Sequence, residues 1–500
     1  MNNYQKREVK WRNIIAWGSG DIFGSGSATI IGLWMLYFYT QVAGLSPVEA
    51  GSIFAIAKFW DAFTDPITAY ITDNIRTRFG RRRVFFLFAG PFIMVFALLF
   101  ISGFSFSYYL ITYLTFNTVI TLIMTPYTTL PNEMTEDYQL RTKMSSSRLI
   151  FGQITAFFVT FIPGLIMKHT ATEAEAFMYI GIVFAVIFTI PWIWIYFNTW
   201  ECDPSHLPPK REMSDMKSTF THLYKEMAST FQLKAFRNLM CMYIGGTVGL
   251  DIFGSLFMHY MVFGINLTPT EGSSILSVMT AMQFIGVSIF TWVALKIGNS
   301  NAYKIAVSLL FVSLVYFGIL PHLSADASKL IILGGITVGL ARGGIYLIPW
   351  VVFNSIPDVD EVLSGKRRAG IFSGVMTLGR KVCQASAMLI ASFGLQIVGF
   401  ASGETVQTTG AVQGIYWIFL IAPAILAALA LYGAITFKLT KENHATIVQE
   451  VERLKEGGSK VNVDAHTAEV VEDLTGWSYD SCWGEKKRTK AEKFTKVAVS

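Results

Sequence analysis

Three charged residues lie on one face of a predicted membrane helix. In the stretch KFWDAFTDP, Lys58, Asp61 and Asp65 are spaced at i, i+3 and i+7, which places them on the same side of an α-helix. Pro66 follows and leaves the carbonyl of Ala62 without its helical partner. Two carboxylates one turn apart, beside a free carbonyl, can bind Na⁺ or share one proton, because like charges resist ionising together. The alternative is a structural Lys58–Asp61 ion pair that joins helices.

Two further aspartates lie in a repeated pentapeptide. DIFGS occurs at 21–25 and again at 251–255, so that Asp21 and Asp251 interrupt apolar segments half a chain apart. An ionisable side chain at this depth of a membrane is costly unless it is paired or hydrated, and it marks a functional candidate. Basic residues in other apolar segments are Lys58, Arg148, Arg342, Arg380 and Lys381. Arg148 lies near a helix end, so an alternative interpretation is that its side chain only extends to the membrane interface. The near-balance of charges predicts a shared polar cavity.

The rest of the chain is apolar. It has 500 residues, of which 52% are hydrophobic and 15% charged, with a mean hydropathy of +0.46. Runs of about 20 apolar residues recur, each long enough to cross the ~30 Å hydrocarbon core as a helix. We predict an all-α membrane protein with twelve spans. The spans are expected near 14–40, 48–72, 84–104, 107–131, 145–168, 176–198, 238–264, 270–296, 303–321, 328–355, 369–398 and 413–437.

Several chemistries find no support in the sequence. The net charge of +6 comes mainly from short loops between spans, so a nucleic-acid partner is not expected. The four cysteines have no pairing or metal-ligand spacing. Gly335, Gly339 and Gly343 recur every fourth residue, which favours a packing face over a phosphate loop. With no catalytic triad or nucleotide loop either, we expect neither an enzyme nor a bound cofactor.

The chain divides into two similar halves. GLSPVEAGSIFAI (44–56) and NLTPTEGSSILSV (266–278) each combine an N-cap hydroxyl, a following proline and a glutamate, which predicts a capping box at the same place in each half. We assign 1–198 and 238–437 to the halves, 199–237 to a linker and 438–500 to a tail. A parallel duplication of six helices resembles the pattern of major-facilitator transporters.

Loop charges predict the orientation. Lys and Arg cluster at the N-terminus and in the even-numbered loops, so both termini should lie in the cytosol of a multi-pass protein of a bacterial inner membrane. No small-residue cleavage site follows the basic N-terminus, so the first span should remain in the mature protein. The tail, with one amphipathic helix at 442–457 and a basic end, is interpreted as solvated or regulatory.

Two motifs resemble one transporter family. WDAFTDPITAYITDNIRTRFGRRR (60–83) and IPDVDEVLSGKRRAGIFSGVMTLGRK (356–381) are similar to the second and the tenth-to-eleventh helical regions of the glycoside–pentoside–hexuronide:cation symporters. The resemblance extends over about residues 10–437. It implies a symporter whose cation site contains Asp61 and Asp65, with Thr121 as a further ligand. The substrate contacts that it implies are Asp21, Arg148, Trp350 and Lys381.

The chain departs from melibiose-type members of this family at two positions. Met124 replaces an acid, which leaves H⁺ and Na⁺ both open as the coupling cation, and Thr128 replaces a tryptophan, which argues against a melibiose-like galactoside. Tyr127, whose ring can stack on a sugar, and Thr128 are further predicted substrate contacts. Arg342 and Arg380 are additional bases. Because arginine binds carboxylates through two parallel hydrogen bonds, we predict an acidic saccharide, such as a uronide or a pectin-derived oligosaccharide.

Two other function classes compete with this hypothesis. A lysolipid or amphipathic-drug carrier would keep the same fold, with a lateral apolar opening and tolerance of Arg342→Ala and Lys381→Ala. A receptor or enzyme would need a soluble domain or a catalytic set. The expected partners are therefore a saccharide, a coupling cation and membrane lipids, with the protein acting as a monomer. The sequence assigns no role to Asp251 or His259.

Overall fold

The computed structural model of the protein describes residues 8–135, 137–201, 225–322 and 327–483. Over these residues the chain forms twelve helical rods, of which two are divided into shorter segments; they are named α1 to α12 and form two groups of six. The first group comprises α1 (Trp11–Gly18 and Asp21–Ile30, continued by π-helical turns Ile31–Met35 and Phe38–Val42), α2 (Pro47–Asn74), α3 (Arg83–Leu87, Ala89–Ile93 and Val95–Leu98), α4 (Phe106–Thr129), α5 (Tyr138–His169) and α6 (Glu173–Asn198).

The second group repeats the arrangement of the first. It comprises α7 (Lys234–His259, continued by a π-helical turn Tyr260–Gly264), α8 (Pro269–Ile297), α9 (Asn299–Ile319), α10 (Ala327–Phe353), α11 (Ala369–Ile397) and α12 (Thr409–Thr436). A short helix, Ile356–Ser364, lies between α10 and α11 and is called the loop helix. A π-helical turn ends the first rod of each half, so the duplication extends to local backbone geometry.

Both predicted capping boxes are confirmed. Ser46 accepts a hydrogen bond from the backbone N–H of Glu49, whose carboxylate accepts from the backbone N–H of Ser46, and α2 begins at the next residue. Thr268 and Glu271 make the same reciprocal pair at the start of α8. Each box satisfies backbone N–H groups that a helix start leaves unpaired.

The third rod differs from the prediction. The sequence predicts one continuous span at 84–104, whereas α3 is three short segments. Pro91 has no N–H to bond the carbonyl of Leu87, where the first segment ends. The α7 helix begins at Lys234, four residues before the predicted position. Most of the predicted linker, including Pro204, Pro208 and Pro209, lies outside the described residues.

Glycines allow α8 and α10 to approach each other closely. A Cβ atom at Gly339 would lie 2.3 Å from the Met279 carbonyl oxygen, and one at Gly343 would lie 2.5 Å from the Gly286 carbonyl carbon. The predicted packing face of the glycine row is thereby confirmed. Arg342 is held next to this contact, beside the central cavity.

The halves meet closely at the end of the bundle remote from the chain termini. There, the Thr40 hydroxyl lies 2.8 Å from Nε2 of His259, and Gly403 N–H donates to the Thr40 carbonyl at 3.1 Å. Ser273 on α8 donates to the Thr160 carbonyl on α5. These contacts close one end of the space between the halves.

The outer surface is apolar. Eight helices among the described residues are long and apolar enough to cross a membrane. Large apolar side chains such as Leu295 and Ile397, each 83% exposed, point away from the bundle. Such a surface fits a lipid environment and not water.

The described part of the tail packs on the second half and does not extend freely into solvent, which contradicts the solvated alternative of the prediction and leaves the regulatory one open. Its helices α13 (Lys441–Lys455) and α14 (Ala465–Thr475) contact the loop helix, and α14 also contacts α7. Their apolar faces bury Ile447 and Val471, and Lys455 pairs with Glu361 of the loop helix at 2.8 Å. The tail's basic end, 484–500, lies outside the described residues.

Candidate functional site

A central cavity with two lobes lies between the halves. Lobe 1, of about 590 Å³, is bounded by α1, α2, α4, α5 and α11. Lobe 2, of about 430 Å³, is bounded by α1, α5, α7, α8, α10 and α11. Asp21, Ser25 and Gln384 line both lobes, so the two spaces are continuous at α1 and α11.

The charged face of α2 lines lobe 1. Lys58 Nζ lies 2.9 Å from Asp61 Oδ2, and Asp61 is 6% exposed. Its other carboxylate oxygen, Oδ1, is buried without a hydrogen-bond partner. The Lys58–Asp61 ion pair is therefore present, but both residues belong to α2, so the pair does not join two helices.

The second carboxylate of α2 makes a bridge between the halves. Asp65 forms an ion pair with Lys381 of α11, and its Oδ1 accepts a hydrogen bond from the Thr121 hydroxyl at 3.3 Å. Both charged side chains are partly exposed to the cavity, at 37% and 40%. This ion pair joins a rod of the first half to a rod of the second, so breaking it would loosen the contact between the halves.

The first DIFGS aspartate is fixed from two sides. Asp21 pairs with Arg148 of α5 at 3.0 Å, and Ser25, one helical turn along α1, donates to its Oδ2 at 2.5 Å. Gly152 provides space for the carboxylate, since a Cβ atom there would lie 2.6 Å from Oδ2. The Asp21 side chain is only 3% exposed, whereas Arg148 is 36% exposed and faces lobe 1.

The second DIFGS aspartate is held by the equivalent helix of its own half. Asp251 forms an ion pair with Arg380 of α11, including a 3.2 Å hydrogen bond from Nη2. The Tyr346 hydroxyl donates to Asp251 at 3.0 Å. Ser255, the counterpart of Ser25, bonds the Ile252 carbonyl instead. The repeat therefore preserves the aspartate–arginine pair and changes its surroundings.

Arg342 has no acidic partner among the described residues. Its guanidinium lies 5.8 Å from the ring centre of Tyr346, and Nη1 lies 3.9 Å from the sulfur of Met279. Its Nε is buried without a hydrogen-bond partner. Each of the other four cations that line the lobes pairs with a carboxylate. The described residues that line the cavity therefore carry one positive charge in excess.

Most of the predicted site residues line this cavity. Lobe 1 contains Asp61, Asp65, Thr121, Thr128, Arg148 and Lys381. Lobe 2 contains Arg342, Trp350 and Arg380, and Asp21 lies in both.

The prediction for Tyr127 is wrong. Its ring is fully buried, stacks on Trp17 at 4.8 Å and donates its hydroxyl to the Trp17 carbonyl at 2.9 Å. Since both its apolar face and its polar group are occupied inside the first half, the ring is not available to a ligand. His259 also lies outside the cavity, at the closed end of the bundle.

Sequence reasoning missed the uncharged polar residues of lobe 2. Gln153, Gln283 and Gln384 line it from α5, α8 and α11. A search for ionisable groups in apolar spans does not find glutamines. An amide in a membrane span also indicates a polar contact, but less strongly than a charged group does. Tyr346, which orients Asp251, was missed because tyrosine is common in membrane helices.

The arrangement suits reversible binding of a small polar solute. Polar groups converge from both halves on a space closed at one end, and among the described residues no group of three His, Cys, Asp or Glu side chains is placed to hold a metal ion. A cavity between two six-helix repeats is the usual position of a substrate site in secondary transporters.

Comparison with known proteins agrees with this architecture. Residues 16–441 match the model of the family described as MFS/sugar transport protein. The chain is 24% identical to the glucuronide carrier protein homolog of Escherichia coli, over 90% of this chain and 97% of the relative. It is 23% identical to the putative glycoside/cation symporter YagG of the same organism, over 92% and 99%.

A solved structure shows the same fold. The crystal structure of a D-xylose-proton symporter matches with a TM-score of 0.56 at 14% identity, covering 85% of this chain and 96% of that one. The chain thus belongs to the MFS/sugar transport family, within the glycoside–pentoside–hexuronide:cation symporters of the major facilitator superfamily, and is a multi-pass membrane transporter, not an enzyme.

Proposed function

We propose that the protein is a proton-coupled symporter that imports an acidic saccharide. The observation that carries the substrate class is the excess charge of Arg342. A guanidinium without a counter-ion in a partly buried site is costly, and a carboxylate on the substrate would remove that cost. Two relatives fit this chemistry by their names, the glucuronide carrier homolog and a putative sulfoquinovose importer of Salmonella typhimurium, which is 22% identical.

The coupling ion is inferred from the lysines. Asp61 faces Lys58, and Asp65 faces Lys381 and the Thr121 hydroxyl. A Na⁺ ion bound between these carboxylates would be repelled by both ammonium groups. A proton that binds Asp65 would instead neutralise the carboxylate and take the place of its ion pair with Lys381. Protonation of Asp65 would also break the ion pair between α2 and α11, which would couple the proton to the movement of the halves.

The transport cycle follows from these positions. The loop charges favour an orientation with both termini in the cytosol, and in that orientation the end of the bundle that is closed here would face the outside. In the outward-open state, Asp65 would take up a proton and the saccharide would bind at Arg342 and Asp21. Rocking of the halves would then expose both ligands to the cytosol, where loss of the proton restores the Asp65–Lys381 pair. A monomer contains all of these residues.

Uptake into proteoliposomes tests this proposal. We expect an imposed pH gradient, and not a Na⁺ gradient, to drive accumulation of labelled glucuronide, with a matched neutral glucoside accumulated far less. Arg342→Gln should weaken glucuronide uptake about tenfold to hundredfold, as for a lost charged hydrogen bond. Asp65→Asn should abolish gradient-driven accumulation but keep substrate exchange.

Each part of the proposal has its own contradicting result. Accumulation driven by Na⁺ alone would exclude proton coupling. Equal transport of the neutral glucoside by the wild type, or unchanged glucuronide uptake by Arg342→Gln, would exclude the acidic substrate. The lysolipid alternative is disfavoured because four ion pairs line the cavity, and an apolar acyl chain can neither pair with these charges nor form hydrogen bonds to them.

A further inference from the structure

Lobe 2 contains three amide side chains without hydrogen-bond partners. Gln153, Gln283 and Gln384 make no side-chain hydrogen bond within the described part of the chain, and Oε1 of Gln153 is buried and unsatisfied. A buried polar group without a partner is costly. Gln153 is such a group, and the amides of Gln283 and Gln384 face the same space from two other helices, which indicates that the partner is a ligand.

The chemistry of these groups matches a sugar ring. A primary amide offers one acceptor oxygen and two donor hydrogens, and a pyranose presents hydroxyl groups that both donate and accept. Trp350, 39% exposed and lining the same lobe, provides an aromatic face beside the amides. Arg342 lines lobe 2 and not lobe 1, so the acidic group belongs on the ring that occupies lobe 2.

Lobe 1 adds further space and further polar groups, although it shares Asp21, Ser25 and Gln384 with lobe 2. Its volume of about 590 Å³ exceeds the 430 Å³ of lobe 2, and each lobe alone lies within the range of about 300–1,000 Å³ that is usual for one small-molecule site. Thr128 is exposed on its wall. Asp21, shared by both lobes, lies where two linked rings would meet.

We propose that the cavity has two sugar subsites, and that the substrate is an acidic disaccharide or longer glycoside with its uronate ring in lobe 2. The Gln153–Gln283–Gln384 set binds the hydroxyl groups of the uronate ring, Arg342 binds its carboxylate, and lobe 1 accepts the second ring. This inference rests on the proposed function for the acidic group and adds the length and orientation of the substrate.

Calorimetry on the purified transporter tests the two subsites with four probes. These are a uronic acid, aldobiouronic acids in which glucuronate or galacturonate is linked to a neutral hexose, the corresponding neutral disaccharides, and the neutral monosaccharide. We expect the better aldobiouronic acid to bind at least tenfold more tightly than the uronic acid alone. Equal affinity for the uronic acid and both aldobiouronic acids would overturn the second subsite.

Variants separate the lobes. Gln153→Ala should lower the affinity for the uronic acid and for the aldobiouronic acid by the same factor of about ten, as expected for one lost hydrogen bond to a ligand. Thr128→Phe, whose larger side chain would occupy part of lobe 1, should lower only the affinity for the aldobiouronic acid. The matched control is Gln396→Ala, on the exposed end of α11 and outside both lobes, which should change neither affinity.

The outcomes distinguish this inference from the proposed function. Unchanged binding in Gln153→Ala, or a Thr128→Phe variant that weakens both ligands equally, would overturn the assignment of the lobes. Tight binding of a neutral disaccharide would instead contradict the acidic substrate and leave the two subsites intact. Thermal unfolding of each variant confirms that it is folded before its affinity is interpreted.

Discussion

Asp21 and Asp251 occupy equivalent positions in the two halves, and each pairs with an arginine from the fifth helix of its half, Arg148 or Arg380. The aspartates nevertheless differ in their surroundings. Asp21 lines both lobes, whereas Asp251 lines lobe 2 only and also accepts a hydrogen bond from Tyr346. We interpret Asp21 as a substrate ligand and Asp251 as the residue that positions Arg380.

This difference predicts distinct phenotypes for two conservative substitutions. Asp21→Asn should lower saccharide affinity about tenfold or more, because a charged hydrogen-bond acceptor at the junction of the lobes is lost. Asp251→Asn should mainly lower thermal stability, because Arg380 is left without its counter-ion. Binding calorimetry and thermal unfolding measure the two effects. If Asp251→Asn abolished binding while Asp21→Asn did not, the interpretation would be reversed.

At the scale of the helix, the tail shows how a segment beyond the family region is attached. The family match ends at residue 441, yet α13 and α14 pack on the second half. The Trp477 indole donates to the Gln232 carbonyl at 3.1 Å just before α7 begins. Within the tail, burial and a hydrogen bond to Glu450 raise the pKa of Tyr479 to about 12, so its hydroxyl remains a donor at neutral pH.

Removing the tail's aromatic anchor should detach it. Trp477 is 6% exposed, and truncating a buried tryptophan typically costs about 3–5 kcal/mol. Trp477→Ala should therefore expose α13 and α14 to limited proteolysis while substrate affinity is unchanged, because no described residue of the tail lines either lobe. Val461→Ala, at an 89% exposed position, is the matched control. Unaltered proteolysis of Trp477→Ala would show that the tail is held by other contacts.

At the scale of the whole molecule, the described residues of the two halves pack closely at one end of the central cavity. A Cβ atom at Gly51 of α2 would lie 2.7 Å from the Cβ atom of Ser392 on α11. Together with the Thr40–His259 contact, this places the closed end remote from the termini. The alternating-access cycle requires these contacts to separate.

A disulfide across the closed end should therefore stop transport. Cysteines at positions 51 and 392, in a chain whose native cysteines are replaced by alanine, are close enough to bridge with a small adjustment. Oxidation should reduce uptake to background and a reductant should restore it, while saccharide binding from the open end persists. Single-cysteine variants are the controls. Full uptake by the cross-linked protein would mean that this end does not open during transport.

Much of the architecture could be predicted because its causes are local. Apolar runs, two capping boxes and a glycine row each depend on residues within a few turns of one another, so the sequence indicates the rods and their duplication. The broken α3 was missed although its cause, Pro91, is also local. The solvated alternative for the tail was wrong because the apolar faces of its helices pack on the loop helix, which lies more than 80 residues earlier for the pair Glu361–Lys455.

The sequence by itself determined the class of the molecule: a duplicated set of membrane helices with charges placed inside it, since hydropathy and charge are properties of short segments. Only the tertiary structure decided which charges neutralise one another. Arg342, Arg380 and Lys381 are all basic residues within apolar segments, and the sequence does not distinguish them. In the structure Arg380 and Lys381 pair with aspartates from other helices, whereas Arg342 does not pair with a described carboxylate. Pairing depends on the distance between side chains from separate rods, and that distance is set by helix packing.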